Sequence, residues 1–305
     1  MDLKDNQLYE NDELKIYRGN DFVISKYIKI HQATLGEICD YGEKYYYSML
    51  YNLTATPQYL KSQLWDEGID YTTITPYQLF CTFLFYMYPK EKTSILFGDL
   101  DLTKFQLRKR EDDDSYYLCQ DIYQGDIYDK NDNFLYHFSS LFDASEFLKW
   151  DIKTLFFVLN MGGINNDFIF KNITTEQIII DEFTYNMITD YLCTSHLIER
   201  DFKVPANNST KMVLIEDAKE ELERNKNKEY HSQLKNLISS MVNIPGFKYD
   251  HTQVWNMKIN AFMDSVKRIG KIKNADLLLQ SGYSGFGVDL NKINKNQLDW
   301  LGELT

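Results

Sequence analysis

The stretch FQLRKREDDDSYYLCQ, residues 105–120, decides which fold class the sequence predicts. Two runs of alternating apolar and polar residues flank the acidic run 111–114. This pattern predicts a β-hairpin with a solvated tip, because four adjacent carboxylates point in alternating directions and do not converge on a metal ion. The next segment, GDIYDKNDNFLYHF (125–138), repeats the strand–turn–strand pattern. We therefore expect two β-hairpins between residues 105 and 138.

Helical patterns flank these hairpins. Thr34 and Glu37 have the spacing of a capping box, and the apolar residues behind them recur every three or four positions. This pattern predicts one helix over residues 35–53, with Gly42 on its apolar face. Further helix-start signals and periodic runs predict helices over 76–88, from Asp143 onward, over 184–197, over 210–226, and over 253–281 with its start at Asp250–Gln253. Short β-like runs are expected at 22–30, 168–170 and 178–180.

The order of these elements predicts an α+β protein that is mainly helical. A small antiparallel sheet with hairpins is expected in the first half, and a helical C-terminal half follows. The predicted organisation is a flexible N-terminal arm over residues 1–20, an α+β domain with β-hairpins over 21–140, and a mainly helical domain over 141–305.

Composition limits the classes of partner. The chain has 305 residues and a formal net charge of −12, which argues against nucleic acid as the main partner. The longest apolar run, near residues 79–88, is too short to span a bilayer, so no membrane partner is expected. The N-terminus lacks the apolar core of a secretory signal. Four widely spaced cysteines indicate reduced thiols in a cytosolic protein.

The glycine-rich stretch LLLQSGYSGFGVDL (277–290) departs from each catalytic motif that it resembles. No lysine follows its glycines as a P-loop requires, and no βαβ unit fits so near the end of the sequence. The order Gly282-Tyr-Ser-Gly also departs from a nucleophile elbow. A simpler interpretation is that Gly282 or Gly285 ends the preceding helix. We therefore expect no enzymatic activity and no cofactor.

Metal sites and nucleophilic dyads are similarly not expected. The run 129–133 (DKNDN) begins like a calcium loop, but Phe134 and Ser140 stand where that loop needs glycine and glutamate. This run is interpreted as a turn. Cys193 and His196 share a helix face without a third orienting group, which favours a partly buried helical pair over a catalytic dyad.

The candidate partner-binding residues lie in the predicted long helix. Its apolar residues step by four, three, four and three positions, which forms a narrow seam. A basic patch accompanies the seam in this acidic chain, and it is interpreted either as the solvated side of the helix or as an anchor for an acidic partner. The candidates are Trp255, Ile259, Phe262, Val266, Ile269, Lys267, Arg268 and Lys271.

Several stretches carry a family resemblance. They are KIHQATLGEICDYGEKYYYSMLYNLTATPQYLKSQLWDEGIDY (29–71), PANNSTKMVLIEDAKEE (205–221), LKNLISSMVNIPGFKY (234–249) and the tail INAFMDSVKRIGKIKNADLLLQSGYSGFG with NQLDWL (259–287 and 296–301). Together they resemble proteins of roughly 300 residues encoded by tailed phages and prophages of low-GC Gram-positive bacteria. The middle, 105–180, matches this family least, and no catalytic or binding residue carries over.

The resemblance implies a role in phage tail morphogenesis, as a tail assembly chaperone that covers apolar helices of the tape-measure protein. The candidate groove is supplied by the 253–281 seam or by the aromatic-rich helix 76–88. Two alternatives remain open: a structural virion component such as a connector, baseplate or tail subunit, and an acidic protein that interacts with a host defence system. A homo-oligomer is also open. The implied location is the host bacterial cytoplasm, or the virion for a structural subunit.

Overall fold

The computed structural model describes residues 13–112, 115–163, 165, 167–284, 287, 289, 292–302 and 304. The chain folds into two compact units. The first, here called the helical unit, comprises the described residues up to Thr103 and those from Tyr185 onward. The second, the sheet unit, is Lys104–Thr184. The chain therefore leaves the helical unit once and returns to it once.

The helical unit begins with α1 and a two-stranded antiparallel sheet, in which Phe22 pairs with Ile30. Helices then follow up to residue 97, and a second group follows the sheet unit. The elements before the sheet unit are α1 (Glu13–Tyr17), β1 (Phe22–Val23), β2 (Lys29–Ile30), α2 (Leu35–Tyr41), α3 (Glu43–Leu53), α4 (Lys61–Asp66), α5 (Pro76–Leu79) with π-helical and 3₁₀ turns to Met87, and α6 (Lys90–Phe97).

The chain segment from Glu182 to the C-terminal region adds four helices. They are α9 (Glu182–His196), α10 (Asn208–Asn225), α11 (Gln233–Val242) and α12 (Ile259–Tyr283), with 3₁₀ turns at Val254–Asn256 and Lys295–Gln297. Lys211 of α10 forms an ion pair with Asp70 at 2.6 Å, which ties this helix to the loop that follows α4.

Two predicted elements of the helical unit are wrong in detail. The expected strand over 22–30 is a short hairpin, since Ile24 and Ser25 N–H groups both donate to Ile28 O and turn the chain. The expected helix over 35–53 is divided into α2 and α3 at Gly42, whose φ of +100° is incompatible with a continuous helix. The capping box itself is confirmed: Glu37 N donates to Thr34 Oγ1 at 3.1 Å, and Thr34 N donates to Glu37 Oε2 at 2.6 Å.

The start and end of the long helix also differ from the prediction. Asp250–Gln253 begins only the 3₁₀ turn, and α12 starts at Ile259 because Ile259 N donates to Ala33 O outside the helix. Gly282 lies inside α12, which ends at Tyr283, so Gly282 is not the stop. The alternative, Gly285, lies outside the described residues.

The sheet unit is built around one long strand, which belongs to both predicted hairpins. That strand, β4 (Tyr116–Asp129), pairs antiparallel with β3 (Gln106–Lys109) at one end and with β5 (Phe134–Phe138) at the other. The two hairpins are thus confirmed, and Asp129 accepts from the N–H groups of Asn131 and Asn133 at 2.8 Å in the second turn. Residues 113 and 114 of the acidic tip lie outside the described residues.

The other edge of β4 is covered by a strand that the sequence did not predict as one piece. The short runs at 168–170 and 178–180 are the two ends of β6 (Phe168–Ile180), which pairs with β4 from Leu118↔Ile180 to Asp129↔Phe168. The polar residues between the runs hid the strand. Asn172, with φ of 52°, lies where the register shifts.

Two helices pack on this sheet. They are α7 (Leu141–Leu148), which is capped by Ser140 and so starts before the predicted Asp143, and α8 (Ile152–Asn160). Leu155 and Leu159 of α8 join a core cluster with Ile127, Phe138, Ala144 and Phe170. Burial of these apolar side chains is the main stabilising contribution in this unit.

The observed elements confirm the predicted class. Helices hold 51% of the described residues and strands 15%, with small antiparallel sheets in the first half and helices in the C-terminal half, so the fold is α+β. The boundaries of the two compact units differ from those of the predicted domains, 21–140 and 141–305. The division into those two domains stays a prediction. Residues 16–20 of the predicted arm are held by Gln32, whose Nε2 donates to Ile16 O and Asn20 O at 2.7 Å.

Candidate functional site

The predicted seam residues have different environments. Ile259 and Phe262 are 1% and 0% exposed, so both belong to the core of the helical unit. Val266, Ile269 and Lys271 are half-buried, and Lys267 is exposed. Arg268 is directed to the C-terminal segment, where its Nη1 donates to Trp300 O and Gly302 O at 2.7 Å. The structure therefore does not assemble the eight candidates into one exposed face.

Trp255 is the candidate that does line a cavity. It precedes α12 on the 3₁₀ turn and borders an apolar groove of about 450 Å³ between α2 and α11. The groove residues are Leu35, Ile38, Cys39, Glu43, Ser232, Leu234, Lys235, Ile238, Ser239, Val242, Asn243, His251 and Trp255. This volume is within the range of small binding sites.

The first wall of the groove is α2, whose start is fixed from two sides. The capping box sets its first turn, and Leu35 N donates to Met257 O at 3.0 Å, which joins the start of α2 to the segment after Trp255. Gly36 permits this approach, because a Cβ at that position would lie 3.2 Å from Trp255 O. Leu35 and Ile38 are buried and line the groove.

The second wall is α11, which is attached to α3 through one carboxylate. Glu43 Oε1 accepts from Gln233 N and Leu234 N, both at 2.8 Å. These are N–H groups of the first turn, which have no partner within the helix, so the carboxylate acts as a cap from another element. The attachment places Leu234 and Ile238 opposite α2.

Polarity in the groove is divided between floor and rim. Four apolar side chains form a buried floor: Leu35, Ile38, Leu234 and Ile238. Five exposed residues form the rim: Cys39, Lys235, Ser239, Asn243 and His251. An apolar centre with a polar margin is the usual composition of a protein-binding patch. The arrangement can take apolar side chains of a partner, and His251 stacks edge-on against Trp255 with ring centroids 5.9 Å apart.

Cys193 and His196 do not form a reactive pair. His196 is buried: its Nε2 lies 2.7 Å from Tyr46 Oη, and its Nδ1 lies 2.9 Å from Leu192 O. Burial lowers the pKa of His196 to about 4, and burial raises the pKa of the Cys193 thiol. A neutral imidazole and a protonated thiol are structural groups, in agreement with the interpretation as a partly buried helical pair.

The described part of the chain contains neither a group of metal ligands nor a membrane-spanning helix. No three or more His, Cys, Asp or Glu side chains there are grouped so that they could hold a metal ion. Among the same residues, no helix combines the length and the apolar character that crossing a membrane requires.

Most groove residues were missed by sequence reasoning. Leu35 and Ile38 lay on a predicted apolar helix face, but nothing indicated what would face them. The segment LKNLISSMV (234–242) has apolar residues at spacings of three and four, which is the signal for α11. Its attachment to Glu43 of α3 joins residues 191 positions apart, which local periodicity cannot reveal.

Comparison with known proteins adds one relationship. No curated protein and no solved structure matches the chain. Residues 225–305 match the family model described as the YomV second domain. These residues hold α11, Trp255 and α12, and therefore one wall of the groove. YomV is a Bacillus phage or prophage protein, so this part of the chain is similar to a phage-associated domain family.

Proposed function

We propose that the chain is a phage protein of tail morphogenesis that acts as a tail assembly chaperone. In this proposal the groove between α2 and α11 holds an apolar helix of the tape-measure protein until the tail tube closes around it. The observation that carries the proposal is the buried apolar floor with an exposed polar rim. One wall of this groove lies in the region similar to a phage-associated domain family.

The dimensions of the groove suit a helix face. Partner helices usually insert side chains from positions i, i+3, i+4 and i+7 into such grooves. A cavity of about 450 Å³ has room for a few of these anchors, while the helix backbone stays above the rim. The net charge of −12 favours approach of a helix with basic flanks. The chain acts by binding alone, without catalysis or a cofactor.

The experiment uses the exposed thiol of Cys39 as a reporter on the rim. A synthetic tape-measure peptide with an amphipathic helical sequence is added to the full chain, and alkylation of Cys39 is followed by mass spectrometry. We expect the peptide to slow alkylation at Cys39 and to leave the half-buried Cys193 unaffected. Co-expression should also keep the tape-measure protein soluble.

Two adjacent serines on α11 give a matched pair of variants. Ser239 lines the groove and Ser240 does not, although both are exposed. Ser239→Trp should fill the groove and abolish both effects, whereas Ser240→Trp should retain them. Equal behaviour of the two variants would overturn the groove as the binding site. Stoichiometric presence of the chain in purified virions would overturn the chaperone role in favour of a structural subunit.

A further inference from the structure

The lining of the groove differs in charge from the chain as a whole. The chain carries a formal net charge of −12. Among the described residues that line the groove, however, Glu43 is the one carboxylate and Lys235 the one ammonium group. The lining is therefore close to neutral. Which of the two charges is available to a partner depends on what each already contacts.

The carboxylate of Glu43 is engaged within the protein. It accepts from the N–H groups of Gln233 and Leu234 at 2.8 Å, and it also accepts a hydrogen bond from the Tyr230 hydroxyl. Partial burial and the charge of Glu43 together raise the pKa of Tyr230 to about 12, so this hydroxyl keeps its proton and remains a donor. A carboxylate that already has three donors is a poor acceptor for a partner.

The ammonium group of Lys235 is in the opposite situation. Lys235 is exposed on the rim, and within the described part of the chain its ammonium group has no hydrogen-bond or ion-pair partner. Ser239 and Asn243 follow it on the rim at spacings of four residues, which places the three along one side of α11 over about 12 Å. Lys235 therefore puts an unpaired positive charge at one end of a rim about two helical turns long.

We infer that the occupant of the groove is a two-turn amphipathic helical segment with an acidic side chain beside its apolar anchors, whose carboxylate pairs with Lys235. This inference rests on the proposed function and adds the charge pattern of the client. Anchors at positions i, i+3 or i+4, and i+7 span about 10 Å, which matches the length of the rim. A neutral or basic residue at the same place would leave Lys235 without a partner.

The net charge of −12 does not oppose this contact. The field of the whole chain acts during approach, and it favours basic residues of the client that lie outside the groove. Salt at physiological strength screens exposed charges over about 8 Å. A client side chain above the rim therefore responds mainly to Lys235, the nearest charge without a partner in the described part of the chain.

The test compares three peptides with the same apolar anchors, which carry glutamate, glutamine or lysine beside the anchors at both ends. Binding to the full chain is measured by fluorescence anisotropy at about 0.05 and 0.5 M salt. At the lower salt we expect the glutamate peptide to bind about 2–5-fold more tightly than the glutamine peptide, the effect of one ion pair on a rim. The lysine peptide should bind most weakly, and the differences should shrink at the higher salt.

Two variants with the same change in net charge locate the preference. Lys235→Glu should reverse the order of the glutamate and lysine peptides, whereas Lys153→Glu, at an exposed lysine of the sheet unit, should keep it. Equal binding of the three peptides, or the same order in both variants, would overturn the inference and leave the groove as a helix-binding site. If none of the peptides protects Cys39 from alkylation, or if a fatty acid such as decanoate protects it and the peptides do not, both the inference and the proposed function are overturned.

Discussion

The helical unit and the sheet unit differ in what they bury. Among the described residues, all eight buried polar side chains lie in the helical unit: Gln32, Thr54, Thr56, Ser62, Thr93, Thr189, Ser195 and His196. The core cluster of the sheet unit consists of aliphatic and phenylalanine side chains. Its ion pairs, such as Arg108–Asp121, lie on the sheet where water still reaches them.

This difference shows two ways of defining a fold. Buried polar groups must find particular partners, as His196 does with Tyr46 and Leu192, so they select one arrangement of helices. An apolar core determines the arrangement of its elements mainly through the volume and shape of its side chains. It tolerates substitutions that preserve both. The helical unit should therefore be sensitive to chemical changes such as protonation, and the sheet unit to changes of volume.

The largest expected effect is a loss of volume in the sheet unit. Leu155→Ala removes a fully buried side chain from α8, and such cavities cost about 2–5 kcal/mol of unfolding free energy. Phe157→Ala, on the opposite side of the same helix, removes a side chain that is 64% exposed and should cost less than about 0.5 kcal/mol. Urea unfolding of both variants measures the contrast. Similar costs would mean that the two faces of α8 are not distinct.

The second effect is acid sensitivity of the helical unit. The unfolded chain has His196 with a pKa near 6.5, and the folded chain has it near 4, so the unfolded state binds the proton first as pH falls. The stability that neutral His196 contributes is complete above about pH 6.5 and is lost between 6.5 and 4. The loss is on the order of 3 kcal/mol.

The sheet unit should not follow in that window. Arg108 lowers the pKa of Asp121 below 3.8, so the contribution of this carboxylate is lost only at more acidic pH. Hydrogen exchange at pH 7, 5 and 4, corrected for intrinsic rates, should show α9 losing protection before β4. His196→Gln should flatten the pH dependence of α9, whereas the exposed His251→Gln should leave it unchanged. Loss of protection in both units together would contradict the separation.

The smallest effect concerns the capping box of α2. Thr34→Ala should cost about 1 kcal/mol, since it leaves a first-turn N–H group without its partner. The double variant with Glu37→Ala should cost less than the sum of the single variants, because the two bonds support one another. A double-mutant cycle by urea unfolding measures the coupling. Strict additivity would show that the two bonds act independently.

Much of the fold was predictable because its signals are local. The capping box, the two hairpins and the period of α10 each depend on residues within a few positions of one another. The break at Gly42 was missed because the apolar period continues across it. Strand β6 was missed because its polar middle is exposed at one edge of the sheet, where alternation with apolar residues is weak.

The candidate site was less predictable than the fold. The apolar residues of α12 have the expected helical spacing. The same spacing is found on a buried helix face and on a face that binds a partner, and Phe262 lies on a buried face. Trp255 was identified as a candidate, although on a helix that does not include it. The groove depends on where α2 and α11 meet, and no short stretch of sequence encodes that meeting.

The separation of the two walls along the chain has a consequence during synthesis. Glu43 and Leu234, which join α3 to α11 beside the groove, are 191 positions apart. Ribosomes elongate a chain at about 5–20 residues per second, so α11 is synthesised roughly 10–40 s after α2. A nascent or truncated chain lacks the pocket during this interval. The rate of translation therefore sets when the groove can form, and a polypeptide stalled before α11 carries one wall of the groove without the other.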